Sequence, residues 1–75
     1  MSELPRITGI QAIRAFERAG FYVHRINGSH HIMKREAWRN RLSIPVHGSQ
    51  ILGKGLLHSQ IKAAGLTVEE FNSFL

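Results

Sequence analysis

Residues 21–35 read FYVHRI, NGS, HHIMKR: two runs rich in aromatic and β-branched residues on either side of Asn27-Gly28. Asn-Gly is the strongest short hairpin signal, because a type I′ turn needs positive φ at both central residues. A hairpin here constrains everything else, since two strands alone are marginal in water and need a third strand or a covering helix. The flanking segments offer both. Leu42, Ile44 and Val46 alternate with Ser43 and Pro45, the period of a strand with one buried face. Pro45 has no N–H to give a ladder, so it belongs at an edge or a strand end.

The segment TGIQAIRAFERAG before the hairpin reads as a helix. Thr8 and Gln11 form a capping-box pattern, Ile10, Ile13, Ala15, Phe16 and Ala19 make an apolar stripe, and Gly20 suits the stop. LLHSQIKAAG reads as a second helix with Leu56, Leu57, Gln60, Ile61 and Ala64 inward. Thr67 and Glu70 open a last helical turn or two, with Val68, Phe71, Phe74 and Leu75 on its apolar side. The polar stretch between the second and third strands is expected to turn around Asn40. The order is α-β-β-β-α, an α+β fold: a three-stranded antiparallel sheet with both main helices on one face and the other face free for a ligand. At 75 residues the expectation is one domain, residues 1–75, burying only about 60% of its unfolded surface. The chain has no cysteine to staple it.

Charge narrows the function. Ten Lys and Arg stand against five Asp and Glu, a net charge of +5. Glu3, Glu69 and Glu70 lie near the ends; between Arg18 and Gly65 the only acid is Glu36, and all five histidines fall there. Such a centre favours a polyanionic partner, nucleic acid or an acidic protein, over a bland solvated surface. The opening MSELPRITG has no apolar stretch of the secretory kind, and no apolar run approaches the ~20 residues of a membrane span. The expected location is the cytoplasm, with no membrane partner.

The blocks LPRITGIQAIRAFERAGF, GSHHIM, IPVHG and LHSQIKAAGLTVEEF, in this order and at this length, resemble the HicA-type toxins, small mRNA-cleaving partners of HicB antitoxins in prokaryotic toxin–antitoxin pairs. The resemblance implies a double-stranded-RNA-binding-domain-like fold, metal-independent endoribonuclease activity on an mRNA substrate without a cofactor, and a HicB-type antitoxin as partner. It makes His31 the catalytic residue, by its position in the Gly-Ser-x-His stretch. Autoregulation in such pairs falls to the antitoxin, so no direct DNA binding is expected. The segment REAWRNR departs from the family pattern, which usually carries a short Gly- or Asp-containing turn there.

Imidazole suits metal-free RNA cleavage because it titrates near pH 6.5 and can take the 2′-OH proton or protonate the leaving 5′-oxygen. With Ile32 taken as the core residue of the strand, His31 falls on the open face with Met33 and Arg35. His30 points to the helix side or the rim, in a structural role or touching RNA. His47 is either the second proton-transfer group or a polar loop residue. His24 and His58 read as surface residues. Ser29, Lys34, Arg35, Arg41 and Lys54 complete the candidate RNA contacts, with Arg25 and Arg39 extending the track and Lys54 sitting where a helix N-terminus could hold a phosphate. Trp38 either stacks on a base, covers the hairpin end or meets the antitoxin. A metal site is disfavoured: adjacent strand residues point to opposite faces, so His30 and His31 cannot readily share an ion. The rival functions are a non-catalytic RNA-binding module and a domain whose basic face answers an acidic protein.

Overall fold

The computed structural model describes residues 3–75. The chain runs α1 (Gly9–Arg18), β1 (Tyr22–Asn27), β2 (His30–Lys34), β3 (Leu42–Pro45), α2 (Lys54–Ala63) and α3 (Val68–Asn72). The strands form one antiparallel sheet ordered β1-β2-β3. Helices cover one face and leave the other open, the expected α+β, double-stranded-RNA-binding-domain-like arrangement. Among the described residues no helix is long and apolar enough to cross a membrane.

The capping box forms at both expected places. The Thr8 N–H donates to Gln11 Oε1 at 2.9 Å, and the Gln11 N–H donates to Thr8 Oγ1 at 3.3 Å. Thr67 and Glu70 repeat the exchange at 2.8 and 3.0 Å. Each box satisfies donors that the first helical turn would leave orphaned. The buried face of α1 is Gly9, Ala12, Ile13, Ala15 and Phe16. Ile10, expected in that stripe, is 39% exposed. Gly9 faces β3 so closely that a Cβ on it would overlap the Pro45 carbonyl, and the next residue is carried about 100° round the helix, outward. In α2, Leu57 and Ile61 are inward as expected, but Leu56 faces out.

Phe16 is the centre of the core, edge-on to Phe21 at 6.0 Å and tilted against Phe71 at 4.8 Å. Met33, Leu42 and Ile44 meet it from the sheet, and Leu57, Ile61 and Ala64 from the α2 side. The edge strand β3 is protected. Its Ser43 N–H donates to Gln60 Oε1 of α2 at 2.9 Å, and Pro45, its last residue, has no N–H to offer.

Two turns differ from expectation. The hairpin loop is Gly28-Ser29, since Asn27 pairs with His30. Only Gly28 has positive φ there, at 63°, the φ pattern of a type II′ rather than a type I′ turn. Moving the two-residue loop by one position shifts the pairing by two, so that Ile26 meets His31 instead of Ser29, and the facing of each strand is unchanged. A β-bulge at His24 does exchange faces within β1: Val23 pairs with Met33 and Arg25 with Ile32, leaving His24 between them. Met33, not Ile32, becomes the core residue of β2, at 0% exposure.

The second difference lies between β2 and β3. The chain turns at Glu36-Ala37, with Ala37 at φ 62° and the Trp38 N–H donating to Arg35 O at 3.1 Å, not around Asn40. Trp38 Nε1 and Asn40 Nδ2 instead donate to Ala63 O at 2.8 and 3.1 Å, satisfying a carbonyl that the end of α2 leaves open. The Trp38 ring lies over Gly65, where a Cβ would strike it at 2.8 Å.

Candidate active site and the basic sheet face

His31 pairs with Ile26 on one side and Ile44 on the other. It alternates with Met33, so it lies on the helix-covered face, at the rim near the hairpin end. The expectation that His31 shares a face with Met33 holds, but that face is the core side, not the open one. The reason is that β2 buries Met33 opposite Leu42, and His31 alternates with Met33 and lies opposite the buried Ile44. His31 is half-buried. Among the described residues, the side-chain polar atoms sealed from solvent without a partner are its Nδ1 and Asn72 Oδ1. Nε2 is not among these sealed atoms.

Three connections meet at this end of the sheet. Val46 N–H donates to Ser29 O at 2.8 Å, tying the end of β3 to the hairpin turn. Gly9 at the start of α1 packs on Pro45 and Val46. Thr8 bridges to Ile51, and the Leu52 N–H donates to Ile7 O at 2.8 Å, drawing the loop before α2 to the same end. His47 is exposed, and with Pro45, Gln50, Ile51, Leu52 and Gly53 it lines a pocket there. Lys54 follows directly as the first residue of α2. Gly53 caps that helix without a side-chain hydrogen bond, so the N–H groups of its first turn have no side-chain capping oxygen, unlike those of α1 and α3. Ser29, His31, His47 and Lys54 thus share one end of the molecule.

His30 is exposed and, one position from His31, lies on the open face rather than the helix side. The two neighbouring histidines therefore point to opposite faces, as alternation requires. Lys34 lies on the open face beside Tyr22, its cross-strand partner. Arg25 is there too, across from Ile32, and Arg41 directly precedes β3, whose Leu42 pairs with Met33. The bulged His24 completes the group. Its pKa is held below the ordinary 6.5, first by the Lys34 ammonium, then by slight desolvation and by Arg25 and Arg41. Lys34 and Arg41 are thus separated by the sheet from the histidine whose substrate they were expected to hold.

Arg35 leaves the track altogether. Its guanidinium lies 4.7 Å from the ring centroids of both Phe21 and Trp38 and donates to Ala19 O at 3.3 Å. It is a packing cation, stacked between two rings. Trp38, stacked on it, covers the end of α2. Ile26, 60% exposed beside His31, went unnoticed in the sequence. The signal was the three-residue spacing of Val23 and Ile26, which puts both on one face only if the strand carries a bulge.

A family model described as "HicA toxin of bacterial toxin-antitoxin" matches residues 10–66. No curated protein matches the chain. The matched segment runs from α1 through α2 and contains every histidine. A toxin of such a system has a cognate antitoxin as its partner. With most of its length inside the match, the chain belongs to the HicA toxin family.

Proposed function

We propose that the chain, as one domain over residues 1–75, is a metal-independent endoribonuclease that cuts mRNA in the cytoplasm and is silenced by a HicB-type antitoxin. His31 is the proton-transfer residue. The observation that carries this reading is its Nδ1, sealed and unpartnered at the rim of the sheet. An unsatisfied buried polar atom costs about 1–3 kcal/mol. An imidazole with Nδ1 turned inward and Nε2 unsealed is suited to proton exchange with a bound ligand.

In the cleavage step, Nε2 removes the 2′-OH proton. The 2′-oxygen attacks phosphorus, and the bond to the 5′-oxygen breaks. That oxygen takes a proton from an acid, for which His47 at the same end of the sheet is the candidate. The products are a 2′,3′-cyclic phosphate and a 5′-hydroxyl. Lys54 and the uncapped N–H groups of α2 supply positive potential to the phosphorane.

The test is cleavage of an end-labelled single-stranded RNA, with EDTA present, by the wild-type chain and by His31→Ala. The wild type cuts; the variant is slower by about 10²-fold or more. If both cut equally, or neither cuts, the nuclease reading is wrong.

A further inference from the structure

The face of the sheet turned away from both helices carries a group of side chains that proton transfer at His31 does not use. Tyr22 pairs with Lys34, Arg41 directly precedes β3 and is close enough to act on His24, and Arg25, Ile32 and Ser43 form the next row. Rows on one face follow each other about 7 Å apart. The bulge sets His24 beside Arg25. Tyr22 is 50% exposed, and His24, Arg25 and Arg41 are exposed as well. The only acid between Arg18 and Gly65 is Glu36, so the chain has almost nothing of its own to neutralise this face.

We propose that this open sheet face is a second RNA site: it binds a single-stranded segment of the substrate through its phosphates, on Arg25, Lys34 and Arg41, and through base stacking on Tyr22 and His24. The inference rests on the reading of RNA as substrate and extends it to a surface separate from His31. Charge complementarity admits any polyanion. The interleaved rings decide for RNA over an acidic protein, because flat unpaired bases gain about 1–3 kcal/mol each on an exposed aromatic ring, whereas carboxylates need only the cations. Mutual repulsion among these cations, felt by His24 as a lowered pKa, is relieved when phosphates enter. The hairpin end is the short way round the sheet, so one strand can lie on this face and reach His31 at the rim.

The experiment uses the full chain carrying His31→Ala, so that RNA is bound and not cut, with a labelled single-stranded RNA of about 12 nucleotides titrated at several salt concentrations. Adding Lys34→Ala and Arg41→Ala is expected to weaken binding at least about tenfold, and to lower the slope of log K against log salt by about 1.4. Tyr22→Ala weakens binding about 5- to 100-fold with the salt slope kept, and Tyr22→Phe restores it. In the otherwise unaltered surface, the His24 imidazole followed by NMR titrates at higher pH with RNA bound than without. Unchanged RNA affinity and an unmoved His24 titration overturn the proposal. So does a double variant that binds RNA normally but has lost the antitoxin, which would make the face a protein-docking surface. Cleavage by wild-type protein is read separately. Its absence would sink the nuclease reading and leave this site standing, while normal binding by the double variant would sink this site alone.

Discussion

Gly9→Ala is the substitution for which local propensity and tertiary packing disagree most clearly. By helix propensity alone it should help, since alanine is favoured over glycine by about 1 kcal/mol in a helix. Here the added Cβ overlaps the carbonyl oxygen of Pro45, with Val46 Cγ2 at 3.1 Å and Pro45 C at 3.2 Å behind it. The obstructing atom is backbone, so no rotamer change relieves it; α1 must move off β3. Overpacking of this kind costs about 1–3 kcal/mol, and a main-chain clash belongs at the upper end. The net loss is about 2 kcal/mol. At about 4–8 °C per kcal/mol for a domain of this size, the midpoint of thermal unfolding falls by about 8–16 °C. Gly55→Ala is the control: it adds a Cβ with nothing within 4 Å in the first turn of α2, and should raise the midpoint by a few degrees. Thermal unfolding followed by circular dichroism measures both. A Gly9→Ala protein melting at or above the wild type would refute the close approach of α1 to β3. The displacement should also reach the site, because Pro45 pairs with His30 and Val46 holds the hairpin turn through Ser29. RNA cleavage measured well below the variant's midpoint should fall too.

Trp38→Ala removes the stack on Arg35 and the cover over Gly65, and should cost about 3 kcal/mol in urea unfolding; Trp38→Phe should cost under about 1.5 kcal/mol, because Asn40 still donates to Ala63 O. Thr8→Ala and Thr67→Ala each open a capping box and should each lower stability by about 1 kcal/mol, additively, since they start different helices. Acidification from pH 7.5 to 5 should destabilise the protein partly through His24. Its folded pKa lies below the 6.5 of the free side chain, so in the window just under 6.5 the unfolded chain binds the extra proton and acid favours unfolding. In His24→Gln the pH dependence of the unfolding midpoint should be flatter over that window, and an equally steep profile would contradict the Lys34–His24 repulsion.

Local chemistry made much of this molecule legible in advance. Both capping boxes need only residues three apart, so Thr8 with Gln11 and Thr67 with Glu70 announce their helices without help from the rest of the chain. The alternation Leu42, Ile44, Val46 and the terminal Pro45 describe β3 for the same reason. The blocks shared with the HicA toxins pointed to the family, and the uneven charge to a polyanionic partner. Facing, by contrast, depends on register. Whether β2 buries Ile32 or Met33 is a difference of one residue, and it exchanges the two sides of the strand. The bulge at His24 then moves Ile26 beside His31 and gathers His24 and Arg25 on the open face. Neither choice can be made from the hairpin segment alone, because Ile32 and Met33 are both apolar. Only docking against Phe16 and its neighbours selects the face of β2 that buries Met33. The order of elements thus followed from neighbours in the chain. The side of the sheet that each histidine and cation occupies was decided by what the whole core could bury.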